Sequence, residues 1–129
     1  MAKPKVLIVE DNEMQQAKYR EALKSFVIIF EALTIDKAEE FFAQHTNFDA
    51  IIFDACVPGN TPTTPPIIKK FKETFLGPMI ATSSDLNYRT LLLHAGCNYE
   101  SSKDNVPGFL LEVLKLTSQA SVNTSKVSS

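Results

Sequence analysis

Residues 49–59 read DAIIFDACVPG, and this segment decides the fold. Three apolar residues followed by one carboxylate are typical of a buried strand that ends at Asp54. A fully buried strand carries no charge along its length, so we expect Asp54 to lie where the strand leaves the sheet. Pro58 and Gly59 then stop the strand and turn the chain. The segment therefore predicts a carboxylate presented at one edge of a sheet.

The length and composition predict a single soluble domain. The chain has 129 residues, of which 44% are hydrophobic and 22% are charged, and these are ordinary values for a globular protein. A net charge of -2 gives no electrostatic footprint for nucleic acid. No apolar run approaches the roughly 20 residues of a membrane span, and no signal peptide is recognisable. Cys56 and Cys97 lack CxxC spacing, which argues against a disulfide framework or a zinc site and favours a cytoplasmic setting.

Apolar runs and helix signals alternate along the chain. Short runs rich in β-branched residues predict strands, and longer stretches without Gly or Pro predict helices. Five strands alternating with five helices predict an α/β protein whose mainly parallel sheet carries helices on both faces. The predicted strands are Val6–Val9, Val27–Phe30, 49–54, Met79–Thr82 and about 97–102, and the predicted helices are 13–25, about 36–45, 67–75, Leu86–Ala95 and Asn105 to about Leu116.

Two segments resemble capping boxes, in which side chains three residues apart bond the free backbone N–H groups of a helix start. Asn12 with Gln15 predicts the start of the first helix. Asp36 with Glu39 predicts the start of the second. Gly96 is expected at the end of the fourth helix, where its conformational freedom is favoured.

The ends of the predicted strands carry functional groups of three kinds: carboxylates, a hydroxyl and an amine. In an open parallel sheet the functional site lies outside the carboxyl ends of the strands, near the point where the strand order reverses. We therefore expect these groups to meet at one edge. They are Glu10 and Asp11 after the first strand, Asp54 at the end of the third, Ser83 after the fourth and Lys103 after the fifth.

Each of these residues also has a purely structural explanation. Asp11 alone fits a helix cap, and Lys103 alone fits a solvated surface lysine. Ser83 could cap the fourth helix, a role that Ser84 or Asp85 fills equally well. The convergence of all the groups at one edge is what favours a functional site.

Three carboxylates held close together repel one another, and such clusters usually bind a cation. Ligands that are all oxygen favour Mg²⁺ or Mn²⁺ over zinc. A lysine and a hydroxyl beside the metal predict a pocket for an anion. Together they predict a phosphoryl-transfer site with Asp54 as the nucleophile.

The residues that carry these predictions resemble the receiver domain of two-component response regulators, in particular a single-domain, chemotaxis-regulator-like form. The matching features are VLIVEDN at 6–12, Asp54 with Pro58 and Gly59, PMIATS at 78–83, and then Gly96 and Lys103. The resemblance covers residues 4 to about 116. It implies a flavodoxin-like, doubly wound five-stranded parallel sheet of order 2-1-3-4-5, a receiver domain over residues 1–116 and a Ser/Thr-rich tail over residues 117–129.

The resemblance also implies a metal site. Glu10 and Asp11 correspond to the acidic pair that binds Mg²⁺, or Mn²⁺, in this family. Asp54 and the backbone carbonyl of Cys56 complete the implied protein ligands. No other cofactor is implied.

The implied activity is signalling by phosphorylation rather than enzymatic turnover. Asp54 corresponds to the phosphoacceptor, and the implied donor is a histidine kinase or a histidine phosphotransfer protein. Ser83 is implied to hydrogen-bond a phosphoryl oxygen, and Lys103 to pair with it as a counter-charge. The output would be phosphorylation-controlled protein binding or a phosphorelay.

The sequence departs from the family pattern at several positions. Glu10 stands for Asp and Ser83 for Thr, and each retains its functional group. The loop after Asp54 lacks a later glycine and is rich in proline.

Asp104 stands where the family usually has a proline. Glu100 stands three residues before Lys103, where the family usually places an aromatic, and Tyr99 is one position earlier. A one-residue offset points Tyr99 to the opposite face of the strand unless a bulge intervenes.

An output partner is expected on the face formed by the fourth helix, the fifth strand and the last helix. Leu91 and Leu92 lie outside the stripe formed by Leu86, Thr90 and Leu93. We therefore interpret them as part of this docking surface, with scattered surface leucines as the alternative.

Two other functions are compatible with the residues. A phosphorylation-independent interaction module of receiver-like fold is favoured by Glu100, by Asp104 and by the proline-rich loop after Asp54. A small α/β phosphatase with an aspartate nucleophile would carry a DxD pattern after the first strand, which EDNE at 10–13 does not supply.

Overall fold

The computed structural model describes residues 3–45 and 47–115. Within them, five strands alternate with five helices. The strands are β1 (Lys5–Val9), β2 (Ile28–Ala32), β3 (Ala50–Asp54), β4 (Met79–Thr82) and β5 (Tyr99–Ser101), and the helices are α1 (Glu13–Leu23), α2 (Ile35–Gln44), α3 (Pro65–Lys72), α4 (Leu86–Ala95) and α5 (106–115). The tail predicted over residues 117–129 lies outside the described residues.

The five strands form one parallel sheet in the order β2-β1-β3-β4-β5. This order confirms the predicted flavodoxin-like, doubly wound architecture. The strand order reverses between β1 and β3, which pair directly. Asp54 at the end of β3 lies opposite Thr82 at the end of β4. The register therefore brings the ends of the central strands to one edge.

Two apolar layers cover the sheet, because successive residues of a strand point to opposite faces. Ile51 and Phe53 of β3 pack into the layer that includes α2, α3 and α4. Ala50 and Ile52 pack into the layer that includes α1 and α5. All five residues of β3 are buried. The segment that predicted the fold is thus the centre of the core, and Asp54 is its polar end.

The helix starts confirm one predicted cap and correct another. The Asn12 side chain accepts a hydrogen bond from Gln15 N at 2.9 Å, as the first capping box predicts. The second prediction was wrong, because Thr34 caps α2 by accepting from Lys37 N at 3.0 Å. Asp36 lies in the first turn instead, where its charge interacts favourably with the helix dipole.

The end of α4 confirms the predicted role of Gly96. Its φ of 139° lies in the region that glycine favours. A Cβ atom here would also lie 3.4 Å from Lys72 Cγ and 3.5 Å from Ile68 Cγ2 of α3. These are ordinary van der Waals distances, so the backbone conformation of the turn into β5, rather than a lack of space, favours glycine here.

Several other boundaries differ from the prediction, for example those of β2 and α3. Strand β2 runs through Glu31 to Ala32, beyond the predicted end at Phe30, because its pairing with β1 continues to Val9. Helix α3 ends at Lys72, although Phe75 just beyond it is still buried. None of the described helices is long and apolar enough to cross a membrane.

Candidate functional site

The carboxyl edge of the sheet carries a polar cavity of about 640 Å³. All the side chains predicted for the site line it: Glu10, Asp11, Asp54, Ser83 and Lys103. Cys56 lines the same cavity and is a half-buried free thiol. Burial and the Asp54 charge raise the pKa of this thiol, so it is not an activated nucleophile.

Three carboxylates form a compact cluster in this cavity. One oxygen from each of Glu10, Asp11 and Asp54 lies within 4.8 Å of the other two. Glu10 is 1% exposed and Asp54 is 5% exposed. Burial, and then the neighbouring Glu10 charge, raise the pKa of Asp54 to about 7 against the opposing effect of Lys103. The donor set is all oxygen and carries excess negative charge, which fits a hard divalent cation such as Mg²⁺ or Mn²⁺.

Lys103 extends from the segment after β5 into this cluster. Its Nζ lies 2.9 Å from Glu10 Oε1 and 3.4 Å from Asp54 Oδ1. Burial lowers the pKa of Lys103, but the two carboxylates outweigh it and raise the pKa overall. The ammonium group is therefore held charged beside Asp54, where it can also attract an incoming anion.

The turn between β1 and α1 is held by its own hydrogen bonds. Asn12 N donates to Glu10 Oε2 at 3.2 Å. Gln16 of α1 is 1% exposed, and its Nε2 donates to the carbonyls of Ile8 and Glu10, each at 3.0 Å. Sequence reasoning missed Gln16. The available signal was a polar residue three positions before Tyr19 on the same, inward face of α1.

The loop after Asp54 is anchored by two threonines that the sequence did not single out. Thr64 is fully buried, and its hydroxyl donates to the Asp54 carbonyl at 2.9 Å and is 3.1 Å from the Ala55 carbonyl. The Thr63 hydroxyl accepts from Val57 N and donates to Val57 O, both at 2.8 Å. These bonds fix the backbone that carries the nucleophile candidate.

Ser83 is 5% exposed, and its Oγ accepts from Asp85 N at 3.1 Å. The cap of α4 is Asp85, whose Oδ1 accepts from Asn87 N at 2.8 Å and Tyr88 N at 3.4 Å. The capping role therefore does not fall on Ser83. The Tyr88 hydroxyl donates to the Asn60 carbonyl at 3.3 Å, and both residues line the cavity.

Next to the site, the side chains of Tyr99 and Glu100 in β5 point to opposite faces of the sheet. Glu100 faces α4, where its Oε1 lies 3.7 Å from Arg89 Nε. Tyr99 packs edge-on against Phe109 of α5, with ring centroids 5.5 Å apart. Tyr99 therefore lies on the face opposite to Glu100, as the one-residue offset predicts.

The predicted leucine surface of α4 was wrong for one of its two residues. Leu91 is 47% exposed, but Leu92 is completely buried. The inward face of the helix is formed by Leu92 and Ala95. Three consecutive leucines leave the orientation of the helix undecided in the sequence, and packing against α3 and β4 decides it.

No protein-family model matches the sequence, and no curated protein sequence does. Solved structures do match. A signal receiver domain of an HD domain-containing protein from Pseudomonas fluorescens Pf-5 is 16% identical, with a TM-score of 0.75 and 93% of each chain covered. A CheY-like response regulator receiver domain protein from Methanospirillum hungatei JF-1 is 18% identical, with a TM-score of 0.73 and coverage of 97% of this chain and 99% of the other.

A response regulator from Thermotoga maritima is 15% identical, with a TM-score of 0.71 and coverage of 88% of this chain and 98% of the other. At such identities the similarity shows the fold, which is that of response regulator receiver domains. The chemistry of the site rests on its own residues.

Proposed function

We propose that this chain is a response-regulator receiver that accepts a phosphoryl group on Asp54 from a phosphohistidine donor in a Mg²⁺-dependent reaction. The observation that carries the proposal is the grouping of Glu10, Asp11 and Asp54 within 4.8 Å, with Lys103 3.4 Å from Asp54. Ser83 lines the same cavity. The receiver fold makes this the site at which such chemistry would occur.

Glu10, Asp11 and Asp54 would hold the divalent cation, and the backbone carbonyl of Cys56 is the proposed fourth protein ligand. Glu10 and Asp54 are nearly buried, and burial together with the Glu10 charge raises the pKa of Asp54. A divalent cation would offset this repulsion between the carboxylates. When bound, Mg²⁺ would neutralise negative charge on the phosphoryl oxygens.

Asp54 is the proposed nucleophile. One carboxylate oxygen forms a bond to phosphorus as the phosphorus–nitrogen bond of the donor breaks. The imidazole leaves with that electron pair and is then free to take up a proton. The product is an acyl phosphate on Asp54. The backbone anchoring by Thr64 holds the attacking group in place, so that alignment rather than activation provides the catalysis.

Lys103 and Ser83 would stabilise the new phosphoryl group, as a counter-charge and as a hydrogen-bond donor. Phosphorylation adds about -1.5 to -2 charge units. That charge competes with Asp54 and Glu10 for Lys103, while the Ser83 hydroxyl can donate to it and still accept from Asp85 N. The segments after β4 and β5 are thereby coupled to phosphorylation. We place the output partner on the adjoining face of α4, β5 and α5, where Leu91 and Tyr99 are exposed.

Exposure of the chain to a small phosphodonor such as acetyl phosphate, with Mg²⁺, tests the proposal. Intact-mass measurement should show the gain of one phosphoryl group on the wild type and none on Asp54→Asn. If a chelator abolished this mass increase on the wild type, the requirement for a metal ion would be supported. No gain on the wild type, under conditions that modify a control receiver, would exclude the proposal.

A second candidate is a phosphorylation-independent interaction module of the same fold. The Glu100–Arg89 contact favours it, because this contact already joins β5 to α4 while Asp54 is unmodified. Pull-down of partners by wild-type and Asp54→Asn proteins separates the two functions. Equal capture, with and without a phosphodonor, would favour the module.

A further inference from the structure

Unsatisfied polar atoms collect beneath the carboxylate cluster. Among the described residues, the buried side-chain atoms without a hydrogen-bond partner include Gln16 Oε1, Tyr19 OH and Thr82 Oγ1, whereas Glu10 Oε1 is ion-paired with the Lys103 ammonium. Glu10 belongs to the site, Gln16 bonds the Glu10 carbonyl, and Thr82 pairs in register with Asp54. An unpaired buried polar atom costs about 1–3 kcal/mol. Several such atoms around one site indicate that they serve the site rather than the core.

Tyr19 is the member of this group whose hydroxyl is not required by its apolar surroundings. It is 1% exposed and lies in the apolar layer on the α1 side of the sheet, among residues such as Val6 and Ile8. An aliphatic residue could fill that place without burying a hydroxyl. Tyr19 is three positions after Gln16, which contacts the Glu10 carbonyl, so both side chains lie on the same face of α1.

The geometry of the helix directs the phenol toward the site. Side chains of an α-helix lean toward its N-terminus, and the N-terminus of α1 adjoins Glu10. The phenol thereby lies near the Thr82 hydroxyl, although neither makes a hydrogen bond of good geometry. Burial, and then the nearby Glu10 charge, raise the pKa of Tyr19. The phenol therefore keeps its proton at neutral pH and is available as a donor.

We propose that Tyr19 is a positioning residue whose phenol donates a hydrogen bond to the Glu10 carboxylate when a divalent cation binds the site. This inference rests on the cation site of the proposed function. In the structure, Glu10 Oε1 is ion-paired with the Lys103 ammonium at 2.9 Å. Lys103 is repelled by a cation on the same carboxylates. The neutral phenol is not, so it can hold the carboxylate in the ligating orientation.

Titration of the full chain with Mg²⁺ by calorimetry tests this role. Tyr19→Phe keeps the buried ring and removes only the donor. Loss of a partner that orients a metal ligand weakens metal affinity by about 10- to 100-fold, and we expect about tenfold here. The free energy of unfolding in chelator should stay equal or rise, because a buried unpaired hydroxyl is removed. Tyr99→Phe, a half-exposed tyrosine outside the cavity, is the matched control and should bind Mg²⁺ as the wild type does.

Thr82→Val distinguishes a direct contact from one relayed by Thr82, and it keeps the direct contact open to refutation if Tyr19→Phe does not fold. It removes the competing acceptor, so the inference predicts Mg²⁺ affinity that is unchanged or tighter. Affinity weakened by Thr82→Val would show that the phenol acts through Thr82 and would overturn the direct contact. Equal Mg²⁺ affinity of Tyr19→Phe and wild type would overturn this inference alone. A wild-type chain that binds no Mg²⁺ would overturn the cation site as well.

Discussion

Lys103 Nζ lies 3.4 Å from Asp54 Oδ1, and this contact joins the last segment of the site to the end of the central strand. The same ammonium group is 2.9 Å from Glu10 Oε1. One partly exposed cation thus balances two nearly buried carboxylates. This arrangement makes the stability of the domain sensitive to the charges of its own functional site.

Replacement of Lys103 by Met should destabilise the domain at neutral pH. It leaves two buried carboxylates without a counter-charge. Breaking a fully buried pair costs roughly 3–5 kcal/mol, and the partial exposure of Lys103 reduces this to about 1–3 kcal/mol. Urea unfolding in chelator measures the loss. Lys70→Met, which removes an exposed pairing with Glu39, is the control and should change stability little. Equal stability of Lys103→Met and wild type would contradict the prediction.

The stability of the metal-free protein should fall with rising pH because of Asp54. Burial, with the Glu10 charge, raises the pKa of Asp54 from 3.8 to about 7 in the folded state. The folded chain therefore binds this proton more tightly than the unfolded chain does. Its contribution to stability is fully present below about pH 4 and is lost as the pH rises through about 7.

Asp54→Asn, which cannot titrate, isolates this contribution. Its stability relative to the wild type should increase between about pH 4 and about pH 7, by at most about 1.4 kcal/mol per pH unit. Denaturant unfolding in chelator at several pH values measures the difference. Glu73→Gln is the control for loss of one exposed carboxylate. A difference between Asp54→Asn and wild type that does not vary with pH would exclude a raised pKa at Asp54.

Mg²⁺ should stabilise the wild type and stabilise Asp11→Asn much less. A ligand that binds only the folded state adds about 2.7 kcal/mol when its concentration is 100 times Kd. Asp11 contributes one oxygen to the cluster, so its removal should weaken that stabilisation. Thermal unfolding with Mg²⁺ and with chelator provides the measurement. Glu13→Gln, in the exposed first turn of α1, should respond as the wild type does. If Mg²⁺ stabilised Asp11→Asn as much as the wild type, the cation would have to bind elsewhere.

Asp85→Ala should lower stability by about 1 kcal/mol, with a range of about 0.5–2 kcal/mol for the loss of an N-cap. Its carboxylate accepts the bond from Asn87 N that begins α4. Ser84→Ala, at the exposed neighbouring position, should change stability by less than about 0.5 kcal/mol. A larger effect at Ser84 than at Asp85 would mean that the cap is assigned to the wrong residue.

Much of the fold could be predicted because its signals are local. Short apolar runs separated by helical stretches predict a parallel α/β sheet, and the carboxyl ends of such strands must share one edge. The five side chains of the candidate site were identified in this way. Where two local signals compete, prediction failed: Thr34 and Asp36 are both good caps, and the backbone geometry selects Thr34. In α4 the run Leu91–Leu93 presents apolar residues on every side, and only packing shows that Leu92 is buried.

The sequence by itself determined which chemical groups stand at the strand ends, since the position of each polar residue after a short apolar run is a short-range pattern. The tertiary structure alone decided what those groups touch. Lys103 pairs with Glu10, 93 residues earlier in the chain, and Gln16 and Tyr19 lie beneath the site because α1 packs on the sheet. Contacts between distant segments depend on helix rotation and side-chain direction, which no local pattern specifies. Asp54 was therefore predictable as the centre of the site, whereas the residues that set its charge and orientation were only partly so.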